Sequence, residues 1–157
     1  MTSKADFNAD EWSTLVEAPV LAGMRVVSSG RGGTIRESLA MAKVYTEARR
    51  NQGASELLDA LASSPPAVSP QQLQGGGDIA ALSSERLREA LRLIGEKGSP
   101  EDVEQYKRFV LSVAQAAAEA HKEGGFIGIG GKQISAEEQA ALDEIRAMLD
   151  AQPTTPR

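Results

Sequence analysis

From Trp12 to Val27 the apolar residues return every three or four positions, as Trp12, Leu15, Val16, Pro19, Ala22, Gly23, Val26 and Val27. That period lays them on one face of an α-helix and does not fit the strict alternation of a strand. The pattern returns in Tyr106, Phe109, Val110, Val113, Ala117 and Ala120, and again in Ala141, Leu142, Ile145, Met148 and Leu149. Glycine and proline cut the stretches between. The chain is therefore expected to be all-α, a helical bundle of about five to seven helices.

Start and stop signals refine this. Residues 1–8 read as a flexible N-terminus, with a helix beginning near Asn8 or Ala9. Pro19 sits inside the first apolar pattern, where a proline costs roughly 3 kcal/mol and removes a backbone hydrogen bond, so a kink or break is expected there. Ser28 to Gly33 ends that helix. Thr34-Ile35-Arg36-Glu37 reads as a capping box opening a helix that carries Leu39, Ala40, Ala42, Lys43 and Val44, until Gly53 stops it. A shorter helix follows from Ser55, completing an N-terminal half over 9–62. The stretch 63–78, rich in Pro, Gly and Ser, is the main shift in composition and reads as a linker.

The C-terminal half, 79–151, is expected to open on Ser83 or Ser84 as a helix cap and to pause at Gly95 to Gly98. Ser99-Pro100-Glu101-Asp102 is a strong helix start: a serine cap, a first-turn proline, and two acids favoured by the helix dipole. That long helix runs to about Glu123. The glycine-rich connector Gly124 to Gly131 follows, then a second capping box, Ser135-Ala136-Glu137-Glu138, and the last helix. Residues 152–157 read as a disordered tail.

The two halves also read alike. Trp12 matches Tyr106, Leu15 matches Phe109, Val16 matches Val110 and Gly30 matches Gly124. After seven extra residues in the second copy, Thr34 matches Ser135, Glu37 matches Glu138 and Val44 matches Ile145. Each unit is helix, glycine turn, capped helix. Two such hairpins would bury their apolar faces against each other about a pseudo-twofold axis.

The unit resembles the tellurite-resistance TerB-like helical domains, in which a helix ends in an Asp-Gly turn and a Ser/Thr-capped helix follows with an acid at its third position. The matching positions are Glu123-Gly124 with Ser135-x-x-Glu138, and Ser29-Gly30 with Thr34-x-x-Glu37. The second hairpin is also similar to those of uncharacterised bacterial proteins, which implies no function. The resemblance implies a helical fold and a bacterial setting. The turn aspartate is missing from both halves and the second turn is enlarged, so the family's acidic metal-linked site is not carried over.

Composition excludes several chemistries. There is no cysteine, so disulfides, thiolate metal sites and cysteine nucleophiles are ruled out. A net charge of -5 with interspersed signs argues against a nucleic-acid backbone binder. No segment approaches the ~20 apolar residues of a membrane span, and no signal peptide is evident, so the expected compartment is the cytoplasm. Aromatics make up only 4% of the chain, which leaves the core to Ala, Leu, Val and Ile.

The glycine-rich connector invites a nucleotide, but its register fails. A P-loop would need glycine where Phe126 stands and a hydroxyl where Gln133 stands. Phe126, Ile127, Ile129 and Lys132 instead form a candidate interaction loop, either folded over the hairpin or presented to a partner. His121, the only histidine, falls in the last turn of the long helix. It suits a C-terminal capping cation, and as a catalytic base it lacks an evident nucleophile. The acids of the last helix read as a solvated face, without the alternating oxygens of a calcium loop. No cofactor is expected. The leading expectation is a non-enzymatic helical scaffold or protein-interaction module, with a protein partner or a second copy of itself. The alternative is a TerB-like stress-related protein binding a metal or small ligand, and the third is a minor enzyme using His121.

Overall fold

The computed structural model describes residues 2–29, 34–53, 55–64, 79–123 and 136–150. They form a 3-10 turn, Lys4–Asp6, and six α-helices: α1 Ala9–Ser29, α2 Thr34–Arg50, α3 Glu56–Ser63, α4 Ile79–Lys97, α5 Pro100–Glu123 and α6 Ala136–Asp150. No strand occurs among the described residues. The chain is thus all-α, as its periodicity requires.

Helices α1 and α5 form the central pair. α4 packs along α1, α2 lies chiefly on α5, and α6 leans on α1 and α5, while α3 touches α2 and α5. Trp12, Leu15, Val16, Val26, Tyr106, Phe109, Val110 and Val113 are all buried where these elements meet. Between them sit Ala18, Ala22, Ala90, Ala114, Ala117, Ala118 and Ala141. With so few aromatics, the alanines let helix axes approach closely, and leucine and isoleucine on α4 and α6 supply the apolar area.

Several helix starts follow the sequence chemistry. At α1 the Glu11 amide donates to Asn8 Oδ1 at 2.9 Å and the Asn8 amide donates to Glu11 Oε2 at 2.9 Å. At α5 the Asp102 amide donates to Ser99 Oγ at 3.1 Å and the Ser99 amide returns to Asp102 Oδ2 at 3.0 Å. Both are reciprocal capping boxes that satisfy amides the first turn leaves open. Ser55 caps α3 by accepting from the Leu58 amide.

Two expectations are corrected. Pro19 does not break α1, which runs unbroken from Ala9 to Ser29. A proline has no amide, so the carbonyl of Leu15, four residues earlier, loses its helical donor. The Tyr106 hydroxyl of α5 donates to that carbonyl at 2.9 Å, in the fully buried interior. A side chain 91 positions away thus supplies the bond that the proline removes. Second, α4 opens at Ile79 rather than at Ser83 or Ser84, because Ile79-Ala80-Ala81-Leu82 adds another turn of good helix formers. The end of α4 falls within the Gly95 to Gly98 stretch where the sequence places it. The helix continues to Lys97, and the Gly98 amide closes on the Ile94 carbonyl at 2.7 Å.

Residues 2–8 pack on the bundle, for Thr2 and Phe7 are both buried. Lys97 at the end of α4 gathers this segment. Its ammonium lies 2.6 Å from Glu11 Oε2, 3.1 Å from the Asp6 carbonyl and 5.5 Å from the centre of the Phe7 ring. Lys4 sits 5.5 Å from the centre of the Trp12 ring. These contacts fasten the entry of α1 to the corner between α4 and α5.

Candidate functional site

The interaction loop read from the sequence, Phe126, Ile127, Ile129 and Lys132, lies outside the described residues. So do most of the 63–78 linker, the second capping serine Ser135 and the tail. His121 belongs to the last turn of α5, but its side chain lies outside the described part.

The structure draws attention to a surface the sequence did not single out. Along the seam between α1 and α4 the side chains are polar and paired. Arg25, largely buried, reaches Ser84 Oγ with Nη1 at 3.1 Å and forms an ion pair with Glu144, so one guanidinium links α1, α4 and α6. Arg86 Nε faces Glu17 of α1 at 3.7 Å. Arg92 holds Glu89 at 2.6 Å and Glu96 at 2.8 Å along α4 itself. Beside this seam a trough of about 650 Å³ is lined by Thr14 of α1 and by Ser84, Glu85, Arg86, Arg88, Glu89 and Arg92 of α4. It is broad and open and holds cations and anions in alternation. From the sequence alone, such i to i+3 and i+4 alternation on a helix reads as a solvated face.

The electrostatics follow from the pairs. Glu11 is held below the usual carboxylate range, first by the hydrogen bond from Lys97 and then by the Asn8 amide. Glu89 is lowered by its hydrogen bond from Arg92, and Arg92 is raised by Glu89 and Glu96. At Asp102, partial burial pushes the carboxyl up, but hydrogen bonds from Thr2 and from the Ser99 amide and hydroxyl outweigh it, and the net shift is downward. Burial raises both core phenols, Tyr45 and Tyr106, with each other's proximity adding to Tyr106. All six of these groups are moved away from neutrality. The acids become firmer anions, the guanidinium a firmer cation, and the phenols hold their protons more tightly. No group of three or more metal-ligating side chains occurs among the described residues, and none of their helices is long and apolar enough to cross a membrane.

The Glu11–Lys97 pair makes a pH prediction. Because the folded-state pKa of Glu11 is depressed, its contribution to stability is present above the unfolded value of about 4.3 and is lost as pH falls through the lower folded value. Replacing Lys97 with Met should return the Glu11 carboxyl toward that unfolded value in an NMR titration and flatten the acid limb of the melting curve. An unchanged Glu11 titration in Lys97→Met would contradict the pairing.

No family model matches this chain, and neither a curated protein nor a solved structure matches it.

Proposed function

We propose that this protein is a non-enzymatic helical scaffold or interaction module that works by binding other protein chains, a second copy of itself first among them. The observation that carries this reading is the direction of the perturbed groups. A catalytic acid or base works best with its pKa brought near the operating pH. Here Glu11, Glu89 and Asp102 are driven the other way by ion pairs and caps, and burial drives Tyr45 and Tyr106 the other way as well. The wide trough on α4, with its mixed charges, suits the polar rim of a protein contact better than an enclosed substrate pocket.

The two halves are further read as related hairpins, and the packing supports this. α2 leans more on α5 than on its own partner α1, and α6 leans on α1 at least as closely as on α5. The second helix of each hairpin thus crosses to the first helix of the other, as a pseudo-twofold axis between α1 and α5 would require. The matched pairs Trp12 and Tyr106, Leu15 and Phe109, and Val16 and Val110 are all buried, as such an arrangement would have them.

Sedimentation over a wide concentration range tests the function directly. The expected result is an average mass rising from one chain toward two with concentration. A mass that stays at one chain throughout removes self-association from this reading.

A further inference from the structure

We propose that α2 and α3 form a lid, a unit that opens as one body from the frame made by the N-terminal segment, α1, α4, α5 and α6. Three independent observations lead there.

The first is the distribution of polar ties. Within the frame, Tyr106 bonds the Leu15 carbonyl, Arg25 joins Ser84 and Glu144, Arg86 faces Glu17, and Lys97 holds Glu11 and Asp6. Among the described residues, no side-chain hydrogen bond or ion pair joins α2 or α3 to that frame. The polar contacts from residue 39 to residue 64 stay within the unit: Thr46 to Ala42, Arg49 to Thr46, Gly53 to Asp59, and the Ser55 cap. Apolar contact alone, through Met41, Tyr45, Leu57 and Leu61, seats the unit on α5 and α1.

The second is the corner between the two helices, which is closed on itself. Gly53 turns with a φ of +110°, a conformation costly for any side chain, and its amide donates to Asp59 Oδ2 at 3.0 Å. The corner therefore carries α2 and α3 together.

The third is an unsatisfied group at the seam. The Tyr45 ring packs edge-on against Phe109, with centroids 5.1 Å apart. Its hydroxyl is buried without a hydrogen-bond partner. A buried hydroxyl without a partner has lost its hydration with no compensation. The closed seat carries that cost and the open one does not, because lifting α2 returns the hydroxyl to water. Opening also bares Phe109 and Val113 of α5 and the Gly23 face of α1. Proteins open in contiguous cooperative units at free energies that run from near zero up to that of global unfolding.

Native-state hydrogen exchange on the full chain, at several low urea concentrations, tests this. In the wild type the α2 and α3 amides should share one opening, at least about tenfold more frequent than that of α1 and α5 and with a weaker urea dependence. In Tyr45→Phe, which keeps the ring and removes the unpaired hydroxyl, that opening should become rarer by about fivefold or more, with α1 and α5 little changed. The idea is overturned if α2 and α3 exchange only with global unfolding. It is equally overturned if Tyr45→Phe leaves their exchange unchanged or makes it faster.

Discussion

Replacing Tyr106 with Phe is expected to destabilise the fold by about 1–3 kcal/mol, lowering the melting midpoint by roughly 3–10 °C. The change deletes one oxygen and leaves the ring in place, so apolar burial is nearly conserved. What it removes is the donor at 2.9 Å from the Leu15 carbonyl. That carbonyl is in the fully buried stretch of α1, and its helical donor is already missing because residue 19 is proline. An acceptor left bare in the interior carries its whole desolvation cost, which exceeds the net worth of an ordinary hydrogen bond. Tyr45→Phe is the natural contrast. It is also a buried tyrosine, but its hydroxyl has no partner to lose. The same chemical deletion should therefore have opposite signs at the two positions. A chemical melt in which Tyr106→Phe is as stable as the wild type would remove the bond from any structural role.

The second large effect is expected at Gly23. A Cβ built there would stand 2.3 Å from Met41 Sδ and 3.3 Å from Val113 Cγ1, so this glycine is where α1 admits both α2 and α5. Alanine would gain about 0.5–1 kcal/mol of helix preference, and Met41 has rotatable bonds with which to yield. Valine adds two methyl groups facing Val113, which is buried and stiff at χ1. Gly23→Val should cost about 2–3 kcal/mol, in the range of an overpacked core. Met41→Ala in the same chain should recover part of that loss by vacating the space. The wedge lies under α2, so the earliest sign should be faster exchange in α2 and α3. Gly23→Val melting with the wild type would show that the helices have slack at this crossing.

Much of the architecture was legible in the sequence because its signals are local. The apolar period placed the faces of α1, α5 and α6, and the Ser99–Asp102 box set the start of α5 where chemistry alone puts it. The discrepancies share one cause. Pro19 reads as a kink or break because helix propensity considers the proline by itself, while the hydrogen bond it removes is replaced by a tyrosine 91 positions away. Ser83 reads as a cap because serines favour caps. In the fold it is buried in the second turn of α4, four residues past the true start. In α2, Met41 and Tyr45 take the core, while Leu39 is 60% exposed. Phe7 has no periodic partners to announce it, so its packing on Trp12 and Lys97 appears only in three dimensions.

The candidate site was less legible than the fold. The sequence pointed to the glycine-rich connector and His121, because unusual composition and a single titratable residue stand out in a string of letters. The trough on α4 is built from arginines and glutamates at ordinary helical spacing, which resembles any solvated face. Its meaning comes from Glu17 and Thr14 on a different helix. The proposed lid is harder still to read, since a lack of polar ties between the described side chains of α2 and the frame is a property of pairs of elements and not of any residue.

The central claim is that α1 and α5 are fastened by the Tyr106 hydroxyl standing in for the amide that Pro19 lacks. A double-mutant cycle on these two residues tests it most directly. Pro19→Ala restores an amide positioned to donate to Leu15, so Tyr106→Phe should then cost less, by about 1 kcal/mol or more, than it does beside Pro19. Equal costs for Tyr106→Phe in the two backgrounds, measured by urea denaturation, would contradict the account.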